Sequence, residues 1–460
     1  MKGREKRDAG LVKINLPARL WRPPVMHDAA SLPVVIVGGG FSGAMLAARL
    51  AETGQASVLI ERGETVSLGV AYSTLLDDHW LNVRAERMSA RPDRPADFTD
   101  WLAAHAPTFA DPYGFAPRRL YGLYVQARLA ETEAARPGQI RRVRGEAVRI
   151  EGDSVILADG ARISGRAVVL ATGNPPPRPA VAGEGPRRIA DPWRPDALAA
   201  IAPDDEVLIL GSGLTMVDVV LALQAQGWRG RATVVSRRGL LPQAHGAHHD
   251  APIDLPPEAL SGPLSHRLAA ARTLANAHGW RRVMEGYRPI TTELWRAATA
   301  AQRARFLRHL RPWWDVRRHR IAPEIAAVLE ALTAENRLTV VAGRAQTITA
   351  ETQSATLTVR IRNSDTRTFR APWLIDCTGP GHDAGRAPLT AALIAEGRAR
   401  IDAVDLGLDL DAEGRVLHAD GAADPGLFVL GPPARAAFWE TIAVPDIRQR
   451  IEALTRALAL

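Results

Sequence analysis

Val34-Val35-Ile36-Val37-Gly38-Gly39-Gly40-Phe41-Ser42-Gly43 is an apolar run, a glycine-rich turn and the start of a second apolar stretch. It reads as a buried strand turning sharply into a helix, whose first free amides point at whatever anion sits in the turn. The pattern returns 173 residues later as Val207-Leu208-Ile209-Leu210-Gly211-Ser212-Gly213-Leu214-Thr215-Met216. One such run is a weak signal. Two, each with its strand before and its helix after, predict two dinucleotide sites.

The residues that follow tell the two sites apart. Ser57-Val58-Leu59-Ile60-Glu61, followed by Arg62, is a second strand ending in an acid 18 residues past Gly43. A carboxylate there can accept both ribose hydroxyls of an adenosine, which favours FAD or NAD. After the second turn, Ala232-Thr233-Val234-Val235-Ser236-Arg237-Arg238 puts a hydroxyl and two guanidiniums where the acid would stand. An acid would repel a 2′-phosphate and an Arg fork would grip it, so this site is expected to take NADPH. The competing reading is that Arg237 and Arg238 are solvated surface charge.

At 460 residues and 46% hydrophobic content the chain can fill two to four domain cores. No apolar run reaches the ~18 residues of a membrane span, and the N-terminus lacks the apolar stretch of a signal peptide. A cytoplasmic protein without a membrane partner is expected. Cys377 is the single cysteine, so no intrachain disulfide and no C-x-x-C redox pair exists. All three lysines lie in the first 13 residues, which excludes Schiff-base chemistry and a P-loop from the core. Residues 1–30 are basic, proline-containing and aperiodic, and read as a disordered arm. The first 25 carry seven Lys or Arg and two acids, so without them the net charge falls from +8 to +3. The basic balance is therefore no argument for nucleic acid, and no such partner is expected.

The expected fold is α/β, with two Rossmann-like dinucleotide-binding domains. Residues 31–185 form the first part of an FAD domain, with a helical stretch over 96–136 and strands near 146–150, 154–157 and 167–170. Ala171-Thr172-Gly173, before a run of prolines, ends a strand with small residues that let backbone approach a ligand. Residues 186–372 form the NADPH domain, interrupted at about 241–323 by a helical insert. In that insert Leu294, Ala298, Phe306, Leu307 and Leu310 recur at helical spacing, as core residues do. Strands return at 337–341 and 355–362. Trp373-Leu374-Ile375-Asp376-Cys377-Thr378-Gly379-Pro380 repeats the strand-then-Thr-Gly pattern and is read as the return to a discontinuous FAD domain, 373–460. Its last strand, 427–430, ends at Gly431, and a final helix starts near Val444. The cofactor contacts expected from these patterns are Gly38, Gly40, Phe41, Ser42, Gly43, Glu61, Arg62, Ala171, Thr172, Gly173, Gly211, Ser212, Gly213, Leu214, Thr215, Ser236, Arg237, Arg238, Thr378, Gly379 and Gly431.

Further motifs give the chain a family resemblance. They are Gly69-Val70-Ala71-Tyr72, His79-Trp80-Leu81-Asn82-Val83, Met88-Ser89-Ala90, Arg118-Arg119-Leu120-Tyr121-Gly122, Ser236-Arg237-Arg238-Gly239-Leu240, Trp314-Asp315-Val316 with Arg318-His319-Arg320, and Trp439-Glu440-Thr441 with Ala443-Val444-Pro445. From Leu32 onward the chain resembles bacterial FAD/NAD(P)-binding proteins built like the two-dinucleotide flavin monooxygenases. A type of FAD-dependent urate hydroxylase and some N-hydroxylating flavoenzymes are similar in architecture. Two departures stand out: Met216 replaces the third glycine of the second turn, which would push its helix outward. Gly431 is followed by Pro432 rather than by an acid near the flavin's ribityl chain.

The resemblance implies a mechanism in which NADPH reduces the flavin, O2 is captured, and a C4a-(hydro)peroxide passes one oxygen to a small polar substrate. It leaves open a reductase that hands electrons to a quinone or protein acceptor, and a non-catalytic flavin-binding sensor. Trp439, Glu440 and Thr441, placed at the start of the last helical segment, are the candidates to stabilise the flavin's pyrimidine end. They compete with a packing tryptophan and a helix-start acid. Asn82 could bond the flavin ring, or be a turn asparagine. Arg318, His319 and Arg320 could hold an anionic substrate or NADPH phosphates, or be solvated. His245, His248 and His249 lack an acid or cysteine at ligand spacing, and no metal is expected.

Overall fold

The structure, a computed structural model, describes residues 32–175, 179, 181–248, 250–381 and 383–459. The arm expected at residues 1–30, and His249, lie outside them. In chain order the strands are β1 (Val34–Val37), β2 (Ser57–Glu61), β3 (Ile140–Arg144), β4 (Ala147–Glu151), β5 (Ser154–Leu157), β6 (Arg162–Ser164), β7 (Ala167–Leu170), β8 (Arg188–Ile189), β9 (Val207–Leu210), β10 (Ala232–Ser236), β11 (Leu338–Ala350), β12 (Ala355–Ile361), β13 (Thr366–Ala371), β14 (Trp373–Asp376), β15 (Arg415–Leu417) and β16 (Ala423–Val429). Among the described residues one sheet runs β15-β16-β7-β1-β2-β3, a second β13-β12-β11-β10-β9-β14-β8, and a small third β4-β5-β6.

Both large sheets are parallel at their centres, β2-β1-β7 in the first and β10-β9-β14 in the second. Strands buried on both faces read as unbroken apolar runs, and VVIV in β1 and VLIL in β9 are buried at every position. One face of the first sheet carries the helices Phe41–Glu52, Arg118–Ala135 and Val444–Ala457 through Leu46, Leu50, Leu129 and Ile451. The other carries the third sheet and the helix Pro388–Ala395 through Val155, Leu157 and Leu393. Each wholly buried leucine there contributes roughly 1.5–3 kcal/mol. The second sheet packs the helices Leu214–Ala225 and Pro323–Ala334 against Ile209 and Val234. Between β10 and β11 the chain makes a run of helices that includes Leu264–His278, Trp280–Tyr287, Ala300–His309 and Arg311–Arg318. No helix among the described residues is long and apolar enough to cross a membrane.

Two sequence expectations need correction. The strand at Trp373, read as the return to the first domain, is β14, and it pairs parallel with β9 in the second sheet, Asp376 opposite Leu210. The second unit therefore extends through Gly379, and the chain crosses back only after it. A four-residue run buried on both faces suits either parallel sheet, so its composition could not choose. The stretch 96–136 is two helices, Asp97–His105 and Arg118–Ala135, separated by a segment with Pro107, Pro112 and Pro117, which break the helical hydrogen-bond ladder.

The two glycine turns are not packed alike. A Cβ at Gly43 would lie 1.9 Å from the Gly38 carbonyl oxygen, so that helix rests directly on its turn. The matching place in the second turn holds Met216, wholly buried in the core with Val207 and Ile209, so the second helix stands off far enough to admit a side chain. Urea denaturation should register the difference. Gly43→Ala should cost about 1–3 kcal/mol through overpacking, and Met216→Ala about 2–5 kcal/mol through the cavity it leaves.

Candidate functional site

Each large sheet ends in the same construction. Gly38 and Gly211 take φ of +106° and +104°, values that glycine adopts without strain. A Cβ on Gly38 would stand 2.3 Å from the Ala171 oxygen, and one on Gly211 2.4 Å from the Cys377 oxygen. The Ala171 amide donates to the Val37 carbonyl at 2.8 Å and the Cys377 amide to the Leu210 carbonyl at 2.7 Å. Ala171-Thr172-Gly173 and Cys377-Thr378-Gly379 are thus equivalent straps, one beside each turn. Thr378 and Gly379, expected with the first site, belong to the second for this reason. The helices Phe41–Glu52 and Leu214–Ala225 begin after Gly40 and Gly213 with no side-chain cap and no acid in the first turn. Their leading amides are left for a ligand.

At the first cradle Glu61 ends β2 and turns back to the glycines. Its Oε2 accepts from the Gly39 amide at 2.7 Å and its Oε1 from the Gly63 amide at 2.8 Å, which fixes the carboxylate at the rim with acceptor capacity to spare. Arg62 is exposed beside it. Gly431 lies against Ser42, whose Oγ would be 2.5 Å from a Cβ at that position. Phe41 is buried against Tyr72 and Tyr121.

The second cradle opens on a cavity of about 950 Å³ lined by Gly211, Ser212, Gly213, Leu214, Thr215, Ser236, Arg237, Arg344, Thr378 and Gly379 among others. Ser212 Oγ donates to the Leu240 carbonyl at 2.6 Å and bonds Ser236 Oγ at 2.8 Å, so both hydroxyls shape the loop after β10. Arg237 faces the cavity; Arg238 instead lies over the Trp313 ring of the insert, at 6.0 Å. The second cavity-lining guanidinium is Arg344, on β11, brought beside Ser236 by the pairing of Ser236 with Ala342. Sequence reasoning missed it, because only the register joins positions so far apart in the chain.

The seam between the units is polar and specific. Arg118 bonds the Asp218 carboxylate at 2.8 Å and the Trp80 carbonyl at 3.0 Å, and His79 Nε2 donates to the Asp218 carbonyl at 3.0 Å. Asn82 is half-buried, and its backbone carbonyl accepts from His245 Nε2 at 3.0 Å. That contact, and packing on Phe115 at 4.9 Å, account for His245. Glu285 is held by Arg87 at 3.0 Å and by Arg320. Burial alone would raise its carboxyl; Arg288, Arg320 and Arg87 hold it down at about 2.

Trp439, Glu440 and Thr441 are not at a helix start. They fill the turn between a short 3-10 segment, Pro432–Ala436, and the helix Val444–Ala457, and all three are buried. Glu440 Oε1 accepts from Trp314 Nε1 at 2.7 Å, while Arg318 and His319 approach Oε2 at 3.4 and 3.6 Å. Burial works against the Glu440 carboxylate, but Arg318 and His319 pull its pKa below the usual range. Trp439 stacks on Trp295 of the insert, centroids 4.7 Å apart. The Glu-Trp pair therefore anchors the insert, and Arg318 and His319 serve that anchor rather than an open surface. Trp439 Nε1, Thr441 Oγ1 and Arg435 Nε are buried with no hydrogen-bond partner. With Glu440 Oε2, also without a hydrogen-bond partner, that leaves three groups able to donate and one acceptor unmatched within residues 431–441.

Residues 35–175 match the profile of a family described as FAD-NAD(P)-binding. No curated protein sequence matches the chain. Among solved structures, the Kutzneria sp. 744 ornithine N-hydroxylase, with reduced FAD, NADP+ and L-ornithine, superposes at a TM-score of 0.64 with 17% identity, covering 93% of this chain and 99% of that one. L-lysine 6-monooxygenase from Pseudomonas syringae gives 0.61 and 19% over 93% and 99%. Thioredoxin reductase from Lactococcus lactis gives 0.51 and 12% over 93% and 99%. At such identities the likeness establishes a shared two-dinucleotide fold.

His245 sets an acid limit on the seam. Burial, then Arg320 and Arg84, lower its pKa from 6.5 to about 3, so it folds in neutral. A base depressed in the folded state contributes stability that is complete above pH 6.5 and is lost as pH falls toward 3. Urea titrations across that window should show wild type losing stability more steeply than His245→Gln, by a slope near one proton; parallel curves would contradict the assignment.

Proposed function

We propose that the chain is an FAD-dependent, NADPH-consuming monooxygenase of a small polar molecule, working in the cytoplasm, with primary amines the first substrate class to test. The observation that carries the reading is the pair of equivalent cradles, one followed by Glu61 and the other by Arg237. The residues at the first fit FAD. The amides at the start of Phe41–Glu52 suit its pyrophosphate, Glu61 its ribose, and Ala171, Thr172, Gly173 and Gly431 leave room for close backbone approach. Glu61, at the end of β2, would hold the adenosine ribose, and Gly431, after β16, borders the same cradle against Ser42. The orphan donors of residues 431–441 lie in the turn after β16. Bound there, FAD supplies hydride acceptance and oxygen activation, chemistry that no side chain of this protein provides.

The chain's own work is to bind, orient and exclude water. Gly211, Ser212, Gly213, Leu214 and Thr215 receive the NADPH pyrophosphate, and Arg237 with Arg344 grip the 2′-phosphate. Trp295 and Trp439, closed over the turn after β16, keep water from the strand ends. The amine preference rests on the ornithine and lysine named for the two hydroxylating neighbours. A reductase working through a cysteine pair does not fit a chain whose single cysteine is buried.

Oxygen uptake by the FAD-loaded protein, measured with a panel of amines, should match NADPH consumption one for one, with one oxygen added to the product by mass spectrometry. Turnover that needs a quinone or protein acceptor instead of O2 would replace the reading with a reductase. A flavin not bleached by excess anaerobic NADPH would replace it with a non-catalytic flavoprotein. In binding titrations Arg237→Ala and Arg344→Ala should each weaken NADPH by about 10- to 100-fold, the range of a charge-assisted hydrogen bond, and leave NADH nearly unchanged. Arg238→Ala should alter neither.

A further inference from the structure

Arg435 is the exception among the buried arginines. Arg188 pairs with Asp376 at 2.9 Å, Arg318 with Glu440 and Asp446 at 3.4 Å, and Arg320 with Glu285, while Arg84 donates to backbone carbonyls. Arg435 is only 7% exposed, yet it makes no ion pair and no hydrogen bond among the described residues. Its guanidinium lies over the Trp439 ring at 4.4 Å, and only its Nε is wholly sealed from solvent, so the terminal nitrogens border reachable space. A cation–π contact offsets only part of the cost of burying an ion. Burial, then Arg311, push its pKa down to about 10, which leaves it cationic at neutral pH. Asp315 and Glu440 are the acids that face it from a distance; Asp315 pairs with Arg311 at 3.3 Å and Glu440 accepts from Trp314, each keeps one oxygen without a hydrogen bond, and neither forms an ion pair with Arg435.

Its place in the fold says what would answer the charge. Arg435 sits four residues beyond Gly431, whose turn rests on Ser42 at the start of the first helix. We infer, resting on the reading of the first cradle as an FAD site, that Arg435 is the charge partner of the flavin ring and favours the state in which that ring is negative. Taking up a hydride from NADPH adds two electrons and one proton and releases NADP+. The ring therefore gains one negative charge unless a second proton follows. A fixed guanidinium at the ring end holds off that second proton and strengthens binding of reduced FAD relative to oxidised FAD.

The test is spectroelectrochemistry of the FAD-loaded full chain, wild type, Arg435→Gln and Arg435→Lys, as a function of pH around neutrality. Wild type should titrate as a two-electron, one-proton couple. Arg435→Gln should shift toward two protons and hold reduced FAD about tenfold or more weaker relative to oxidised FAD, and Arg435→Lys should restore both. A wild-type couple that takes two protons overturns the inference without any variant, and so does an Arg435→Gln protein that folds, binds FAD and keeps the wild-type potential. If that variant instead raises only the KM for carboxylate-bearing substrates, Arg435 is a substrate group and the inference is equally overturned. A wild-type preparation that takes up no FAD would instead sink the FAD reading itself.

Discussion

Two contacts between backbone atoms govern this molecule. At the end of β1 and again at the end of β9 a glycine in the left-handed region passes its neighbouring strap so closely that a Cβ would be 2.3 or 2.4 Å from a carbonyl oxygen. Any side chain there would prise β1 from β7 or β9 from β14, and with those pairings the crossovers that close each sheet would go. The same tightness leaves the helix that follows without a cap. An uncapped N-terminus beside a bare backbone turn leaves amides that water or an anion can complete, so the constraint that closes the sheet also leaves room for a ligand.

Given two equivalent cradles, chemistry is assigned by what stands at the rim. Glu61 is tied to the first turn by the Gly39 amide, is held also by the Gly63 amide of its own loop, and offers further acceptor positions. In the second, Ser236 occupies the corresponding strand end but is committed to Ser212 and Gly239, and the proposed NADPH selectivity rests on the cavity-lining guanidiniums beyond it. Arg237 arrives by sequence and Arg344 by register, from two strands whose ends the parallel pairing aligns. The charge of the cavity is thus a property of the sheet rather than of the motif.

What was legible in the chain follows the same division. Local patterns with a steric cause could be read directly: β1, β9, the two helices after them, Glu61, and the Thr-Gly straps as straps. What could not be read is decided at long range. Thr378 and Gly379 carry the right local conformation, but which cradle they border depends on the partner of β14, and an all-buried strand carries no face pattern to reveal it. Glu440 has the sequence dress of a helix-start acid. Its actual role comes from Trp314, Arg318 and His319, more than a hundred residues away, and no periodicity reports a contact of that separation. Arg435 was invisible for the opposite reason: one arginine among many, it differs only in lacking what the others have.

The seam residues belong to the same argument. Asp218, Glu285 and Glu440 each draw cations from a different part of the chain into a poorly hydrated contact. Such pairs gain little stability once desolvation is counted, since apolar residues of the same volume would often hold the surfaces together as well. What apolar packing lacks is direction. A carboxylate that must meet Trp314, Arg318 and His319 together admits one seating of the insert, whereas Trp295 sliding on Trp439 would tolerate several. With the insert seated that way, the turn of residues 431–441 is packed under aromatic rings, and in such a poorly hydrated setting a guanidinium without an ion-pair partner exerts a large effect on any charge that forms beside it.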